Sequence, residues 1–183
     1  MPRLPQLNTS FDVFADDLMA ERAARPLVII GASKVDDLLL DILRNYLLPK
    51  KAKEKEPDEL LENDAPLGTF SARIKMCRRL GLIDIDTCHI LDRLRVLRNL
   101  SAHKVTFDHT VSPVREHVSE FRSLIVGRSS YSLTRTRYFE STTLKVVEEL
   151  QCALLTLCVL LEAIRDSIKT TPGLKKTLSI SAR

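Results

Sequence analysis

The sequence is poor in several residue types, and each shortage excludes a class of protein. Five glycines and eight prolines in 183 residues are too few for a collagen-like or low-complexity chain. The four cysteines show no C-x-x-C spacing, and no set of cysteines and histidines has zinc-finger geometry. Each cysteine lies in an apolar-periodic stretch, so we expect reduced thiols in the core rather than disulfides.

Long hydrophobic runs are also missing. No stretch approaches the roughly 20 apolar residues that cross a bilayer, and residues 1–8 lack the apolar region of a secretory signal. These absences predict a cytoplasmic protein that does not enter a membrane. The phosphate-loop, dinucleotide and nucleophile-elbow motifs are absent as well, and the sequence predicts no cofactor.

A metal site has only weak support in the sequence. His109 and His117, together with Asp108 and Glu116, have the right residue types for metal ligands. Their spacing is generic, however, and half of them fall in a predicted loop. We therefore predict no metal at these residues.

Apolar residues make up 44% of the chain and charged residues 28%, which fits one globular domain with a substantial core. Lysine and arginine exceed aspartate and glutamate by 28 to 24, giving a net charge of +4. That excess is too small to indicate nucleic-acid binding by itself. The clustering of basic residues therefore matters more than their total.

Apolar residues recur three and four positions apart through most of the chain, which is typical of amphipathic helices. The spacing predicts helices over residues 26–48, 69–80, about 84–103 and 114–124, after a short helix that carries Phe11, Phe14 and Leu18. The clearest helix comes last, with about 30 residues and an apolar stripe at Val147, Leu150, Leu154, Leu157, Leu161, Ile164 and Ile168. The predicted fold class is all-α, a helical bundle with a long C-terminal helix.

Residues 26–33 are ambiguous, since a buried strand leading into a phosphate loop is the alternative to a helix. We favour the helix because Ile29, Ala32 and Leu39 fall on helical spacings and Pro26 suits a first helical turn. The predicted organisation is an N-terminal arm and short helix (1–25), a single helical domain (26–170) and a flexible basic tail (171–183).

A candidate catalytic motif lies near the end of the helix predicted over 84–103. Arg98, Asn99 and His103 form an R-N-x-x-x-H pattern, which resembles the signature of HEPN-type helical domains. Many of those are dimeric, metal-independent ribonucleases, so the resemblance implies Arg98 as phosphate clamp, Asn99 as orienting group and His103 as general base. On an ideal helix Arg98 and His103 are about 140° apart. They reach one phosphate together only if the helix ends before His103 or a second subunit completes the site.

Basic residues cluster on two neighbouring predicted helices. The first carries Arg73, Lys75, Arg78 and Arg79, and the second carries Arg93, Arg95 and Arg98. Two interpretations remain open. One is an anion site for RNA, the DNA backbone or an acidic partner; the other is a solvated face compensated by Asp36, Asp37, Asp41 and Asp92. A second basic cluster, at Arg128, Arg135 and Arg137, is predicted to lie in a Ser/Thr-rich surface loop.

The central residues resemble the mannitol operon repressor family. Residues 66–83 match its P-L-x-x-F-S-x-[KR]-I-K-x-x-x-x-L-G-L-I stretch, and residues 94–103 are similar to its I-R-x-[IL]-R-N-x-[FL]-A-H stretch. The likeness extends over residues 27–125, and Ser101 departs from it where the family usually has phenylalanine. It implies an all-helical, HEPN-related protein without a DNA-reading helix-turn-helix. Family members are transcriptional regulators working through protein partners.

We therefore expect a non-enzymatic regulator of transcription, cytoplasmic and homodimeric, that binds a protein partner, with nucleic acid as a second candidate through the basic face. The partner-binding residues predicted from the sequence are Arg73, Lys75, Arg78, Arg79 and Arg95. The alternative function is a HEPN-type endoribonuclease in a toxin or defence setting. A third is a dimerisation scaffold that uses the long C-terminal helix.

Overall fold

The computed structural model describes residues 9–47, 58–62, 64–139 and 143–169, which contain helices and no strand. The helices are α1 (Thr9–Ala20), α2 (Ala24–Tyr46), α3 (Phe70–Arg79), α4 (Ile85–His103), α5 (Val114–Val126), α6 (Ser129–Tyr138) and α7 (Val146–Lys169). The all-α prediction is confirmed. The helical interpretation of residues 26–33 is confirmed too, because all of them lie within α2. The predicted tail (171–183) and the charged residues 48–57 lie outside the described residues.

Helix α7 is the centre of the bundle. Its residues from Leu150 to Val159 are buried on every side of the helix, and α1, α2, α5 and α6 all pack against it. A helix that is apolar all round has to be enclosed by other elements. The predicted long C-terminal helix is confirmed; the sequence predicts about 30 residues, and α7 has 24 residues and a length of about 36 Å.

Helix α2 makes the most extensive packing contact with α7. Gly31 allows this close approach, because a Cβ atom built at that position would lie 2.7 Å from Leu154 Cδ2. Leu154 is fully buried, so its side chain has little space to move aside. The sequence of α2 thus places its smallest residue at a point of close approach to α7.

Local hydrogen bonds set the ends of α3 and the start of α4. Thr69 Oγ1 accepts a hydrogen bond from Ala72 N at 3.2 Å, and Asp84 Oδ1 accepts one from Thr87 N at 2.7 Å. Between the helices, Gly81 has a φ of 71° and Leu82 N donates to Cys77 O, which is the Schellman arrangement that ends a helix. Thr69, Gly81 and Asp84 thus define the start of α3, the end of α3 and the start of α4.

Helix α6 corrects one expectation, since residues 129–138 are not the Ser/Thr-rich loop that the sequence predicts. Serine and threonine have low helix propensity, and tertiary packing overrides it here. Tyr131 and Thr134 are buried where α6 packs on α7, and Thr134 Oγ1 donates to Ser130 O at 2.9 Å. Arg135 and Arg137 therefore lie on a helix.

The cysteines are unpaired, as expected. Cys77, Cys152 and Cys158 are buried and Cys88 is half-buried. Burial raises the pKa of the Cys77 and Cys158 thiols to about 12, which keeps them protonated and unreactive at neutral pH. None of the helices in the described ranges combines the length and apolarity of a membrane span.

Candidate functional site

The R-N-x-x-x-H motif lies on the surface, in the last turns of α4. Arg98, Asn99 and His103 are all exposed, and the one hydrogen bond among them joins Arg98 Nη1 to Asn99 Oδ1 at 3.5 Å, the long limit for such a bond. Helix α4 continues through His103. Arg98 and His103 therefore project about 140° apart around the helix axis. Of the two routes to a shared phosphate, only completion by a second subunit is compatible with this geometry.

Arg25, which the sequence does not single out, holds the C-terminal end of α4. Its Nε donates to Ser101 O at 2.8 Å, and its two terminal nitrogens donate to Lys104 O at 2.5 Å and Val105 O at 3.2 Å. A guanidinium at this point satisfies carbonyls that the helix end leaves free, and its charge suits the negative end of the helix dipole. Arg25 is 76 residues from Ser101, so no local pattern indicates the contact.

Ser101 occupies the position where the resembling family usually has phenylalanine. It is 1% exposed, and its Oγ donates to Arg98 O at 2.7 Å. Its own carbonyl accepts from Arg25. A small hydroxyl residue thus fits beneath the motif with its polar atoms satisfied.

Arg73 does not belong to the exposed basic face that the sequence predicts. It is 8% exposed, and its Nη1 lies 2.7 Å from Asp36 Oδ1 on α2. Its other nitrogens donate to Leu67 O at 3.0 Å, Leu61 O at 3.1 Å and Gly68 O at 3.3 Å. Because the planar fork satisfies these buried carbonyls, Arg73 connects the 58–69 segment to α2 and α3 and is not available to a partner.

The other basic residues of α3 do face the solvent. Lys75, Arg78 and Arg79 are exposed at spacings of three and four residues, which places them on one side of the helix. Within the described residues none of these three side chains forms an ion pair or a hydrogen bond. We call this set the α3 basic face.

The basic residues of α4 are partly neutralised. Arg95 Nε lies 3.2 Å from Asp92 Oδ1, and Arg93 pairs with Glu120 of α5 at 2.7 Å. Arg98 has no carboxylate partner among the described residues. Helices α3 and α4 pack against each other, so Arg95 and Arg98 lie on the helix next to α3.

The two carboxylates among the candidate metal ligands, Asp108 and Glu116, accept hydrogen bonds from neighbouring residues. The Asp108 carboxylate accepts from Thr110 N at 2.8 Å and from Thr110 Oγ1 at 2.7 Å, and these bonds lower the pKa of Asp108. Glu116 accepts from Ser112 Oγ at 2.7 Å. The part of the chain that the structure describes contains no cluster of three metal-ligating side chains.

Comparisons with known proteins give a fold. No family model and no curated protein matches the chain. The structure of MtlR in the MtlR–HPr complex from Escherichia coli is 20% identical, with a TM-score of 0.61 and coverage of 86% of this chain and 99% of that one. YggD, a possible transcriptional regulator from Shigella flexneri 2a str. 2457T, is 12% identical, with a TM-score of 0.55 and coverage of 91% and 98%. The fold expected from the mannitol repressor resemblance is confirmed.

Proposed function

We propose that this chain is a regulator-type protein that acts by binding a protein partner, and that the α3 basic face is the centre of the binding surface. The observation that carries the proposal is that Lys75, Arg78 and Arg79 share one exposed side of a helix and lack ion-pair partners within the described residues. Unpaired charges at fixed positions attract a surface of opposite sign and orient it. The partner should therefore present acidic side chains.

The ion pairs around α3 argue against the interpretation of its basic residues as a merely solvated face. Two of the carboxylates that were candidates to neutralise these cations are already used, Asp36 by Arg73 and Asp92 by Arg95. Asp37 follows Asp36 in the chain, and burial together with the charge of Asp36 raises the pKa of the Asp37 carboxyl. None of these three carboxylates forms an ion pair with the α3 basic face.

The rigidity of α3 favours binding at this place. The helix is capped by Thr69 at its start, ended by Gly81, and anchored in its middle by the buried side chain of Arg73. Binding costs less when the interacting groups are already ordered. Arg98 and Arg95 on α4 lie on the adjoining helix and would extend the contact.

The fold likeness supports the choice of partner class. MtlR was solved as a complex with HPr, and a fold shared over most of both chains makes a protein the first partner to test. The likeness to a possible transcriptional regulator supports the regulator class. Dimer formation remains a prediction from the sequence.

The test is affinity capture with the full chain, comparing the native protein with Lys75→Glu/Arg78→Glu/Arg79→Glu. The matched control reverses three exposed cations elsewhere, Arg22, Arg115 and Lys145. We expect one protein to be retained by the native chain and by the control and lost with the α3 variant. With that protein purified, the α3 variant should bind at least about tenfold more weakly, a change of roughly 1.4 kcal/mol.

Three outcomes would contradict the proposal. The first is equal binding of the partner by the native and α3 variant chains. The second is capture of nucleic acid instead, with affinity falling steeply as salt rises. The third is cleavage of labelled RNA in the presence of EDTA by the native chain and not by His103→Ala, which would identify Arg98, Asn99 and His103 as a ribonuclease site.

A further inference from the structure

A groove beside the start of α7 has a lining that the proposed function does not use. Two adjoining cavities, of about 350 and 620 Å³, share His109 and Val146 as lining residues. They lie among the connection between α1 and α2, the loop after α4, helix α5 and the start of α7. The smaller volume falls at the lower end of the roughly 300–1,000 Å³ typical of small-molecule sites.

Three free cations line the groove. Arg22 and Lys145 line the larger cavity and Arg115 lines the smaller one, and all three are exposed. Within the described residues none of their side chains forms an ion pair or a hydrogen bond. These unpaired cations contrast with Arg122, which lines the smaller cavity and whose guanidinium pairs with Glu149.

The charge balance of the lining favours a dianion. Glu148 is the one carboxylate among the lining residues that the structure describes, and its Oε2 accepts from Lys145 N at 2.8 Å. Three free cations against one carboxylate leave a net charge of +2. A phosphate monoester carries close to two negative charges at neutral pH, since its second pKa is near 6.

The remaining lining residues suit a small polar ligand with a short carbon body. Ser119 has a hydroxyl without a hydrogen-bond partner among the described residues, and His109 lines both cavities. Val118 and Val146 supply apolar contact beside them. The groove thus combines an anion-binding rim with a limited apolar wall, as small-molecule sites commonly do.

We propose that this groove binds a small phosphate monoester, with the guanidinium of Arg115 as the main phosphate clamp and with Arg22 and Lys145 completing the charge. Arginine matches phosphate because its planar fork donates two parallel hydrogen bonds. The site shares no residue with the α3 basic face. The two proposals are therefore independent and can fail separately.

The test is titration calorimetry of the full chain with inorganic phosphate, with sodium chloride adjusted to keep the ionic strength constant. The variant Arg22→Gln/Arg115→Gln removes two groove cations, and the matched control Arg44→Gln/Arg137→Gln removes two exposed cations that belong to neither proposed site. We expect the native chain and the control to bind phosphate equally. The groove variant should bind at least about tenfold more weakly, because charge-assisted hydrogen bonds are lost.

A second probe, glycerol phosphate, tests the monoester assignment. Val118 and Val146 can contact its carbon body, so it should bind at least as tightly as inorganic phosphate. The proposal is overturned if the native chain shows no phosphate binding above the chloride reference, if the groove variant binds like the native chain, or if the ester binds more weakly than inorganic phosphate. The substituted side chains are exposed, so circular dichroism should show unchanged helicity in every variant.

Discussion

Between α2 and α7 the charged side chains pair inside the protein, whereas on α3 and the end of α4 most of them face the solvent. Glu162 of α7 is 2% exposed and forms ion pairs with Arg165 and with Lys34, whose Nζ lies 3.8 Å from Glu162 Oε1. Lys34 also lies over the ring of Phe14, 5.6 Å from its centroid. On α3, by contrast, Lys75, Arg78 and Arg79 have no such partners within the described residues.

The difference concerns what each charge contributes. A buried charge is tolerated only with compensation, so removal of one partner destabilises the folded state strongly. An exposed charge adds little to stability and remains available for binding. Substitutions between α2 and α7 should therefore alter the free energy of unfolding, and substitutions on the α3 basic face should alter binding instead.

Arg73 gives the strongest test of this difference between buried and exposed charges. It lies on α3 but is buried like the charges of α7. We expect Arg73→Met to lower the free energy of unfolding by about 3 kcal/mol. It leaves three carbonyls and Asp36 without their donor, and the partial exposure of Asp36 keeps the loss near the lower end of the range for buried pairs. Urea unfolding measures the change through the transition midpoint at constant slope.

Lys75→Met is the matched control for that experiment. It removes one cation from the same helix, but from the exposed side, and should change the free energy of unfolding by less than about 0.5 kcal/mol. Equal losses at Arg73 and Lys75 would show that burial does not separate the two sets of charges.

Gly31→Val gives the next largest expected effect. It tests the apolar part of the interface between α2 and α7. A Cβ atom at this position would meet Leu154 at 2.7 Å in a fully buried site, and overpacking of this kind costs about 1–3 kcal/mol. The control is Gly127→Val, where a Cβ atom meets nothing within 4 Å and the backbone φ is −74°. Thermal unfolding should show a lower midpoint for the first variant and little change for the second. Similar midpoints would contradict the close approach of α2 and α7.

The two regions also differ in how far the sequence predicts them. The apolar spacing of α2 and α7 identifies both helices, and residue types that cap or end helices occur at Thr69, Gly81 and Asp84. These features depend on residues near one another in the chain. They can therefore be predicted without knowledge of the tertiary structure.

Contacts between distant segments limit the prediction of the candidate site. Arg73 shares a helix side with Ile74 and Cys77, and both of those are buried, so its position does carry a signal that it faces the core. No such signal in the sequence indicates the hydrogen bonds of Arg25 to the end of α4 or the cationic groove beside α7. They depend on how the helices pack, as does the burial of Tyr131 that establishes α6.

The smallest effect that we predict concerns Asp84, in the turn between α3 and α4. Its charge is exposed, yet it contributes to stability because the carboxylate caps α4. Hydrogen bonds from the hydroxyl and the backbone N–H of Thr87 hold the pKa of Asp84 below its ordinary value of 3.8. Because the folded state favours the carboxylate, this stabilisation is complete above 3.8 and is lost as the pH falls through the lowered pKa. Asp84→Ala should therefore cost about 1 kcal/mol at neutral pH, the usual value of an N-cap, and progressively less in acid.

Asp84→Asn separates the cap from the charge. Asparagine is about as good an N-cap as aspartate and does not titrate. This variant should therefore keep most of the stability at neutral pH, and its cap should not weaken in acid as that of Asp84 does. Urea unfolding of the three chains across acidic and neutral pH measures both contributions. A cost of Asp84→Ala that does not change with pH would mean that the carboxylate contributes no charge-dependent stability. The charge of Asp84 would then add little to stability, as expected for the exposed charges of the α3 basic face and unlike the ion pairs of α7.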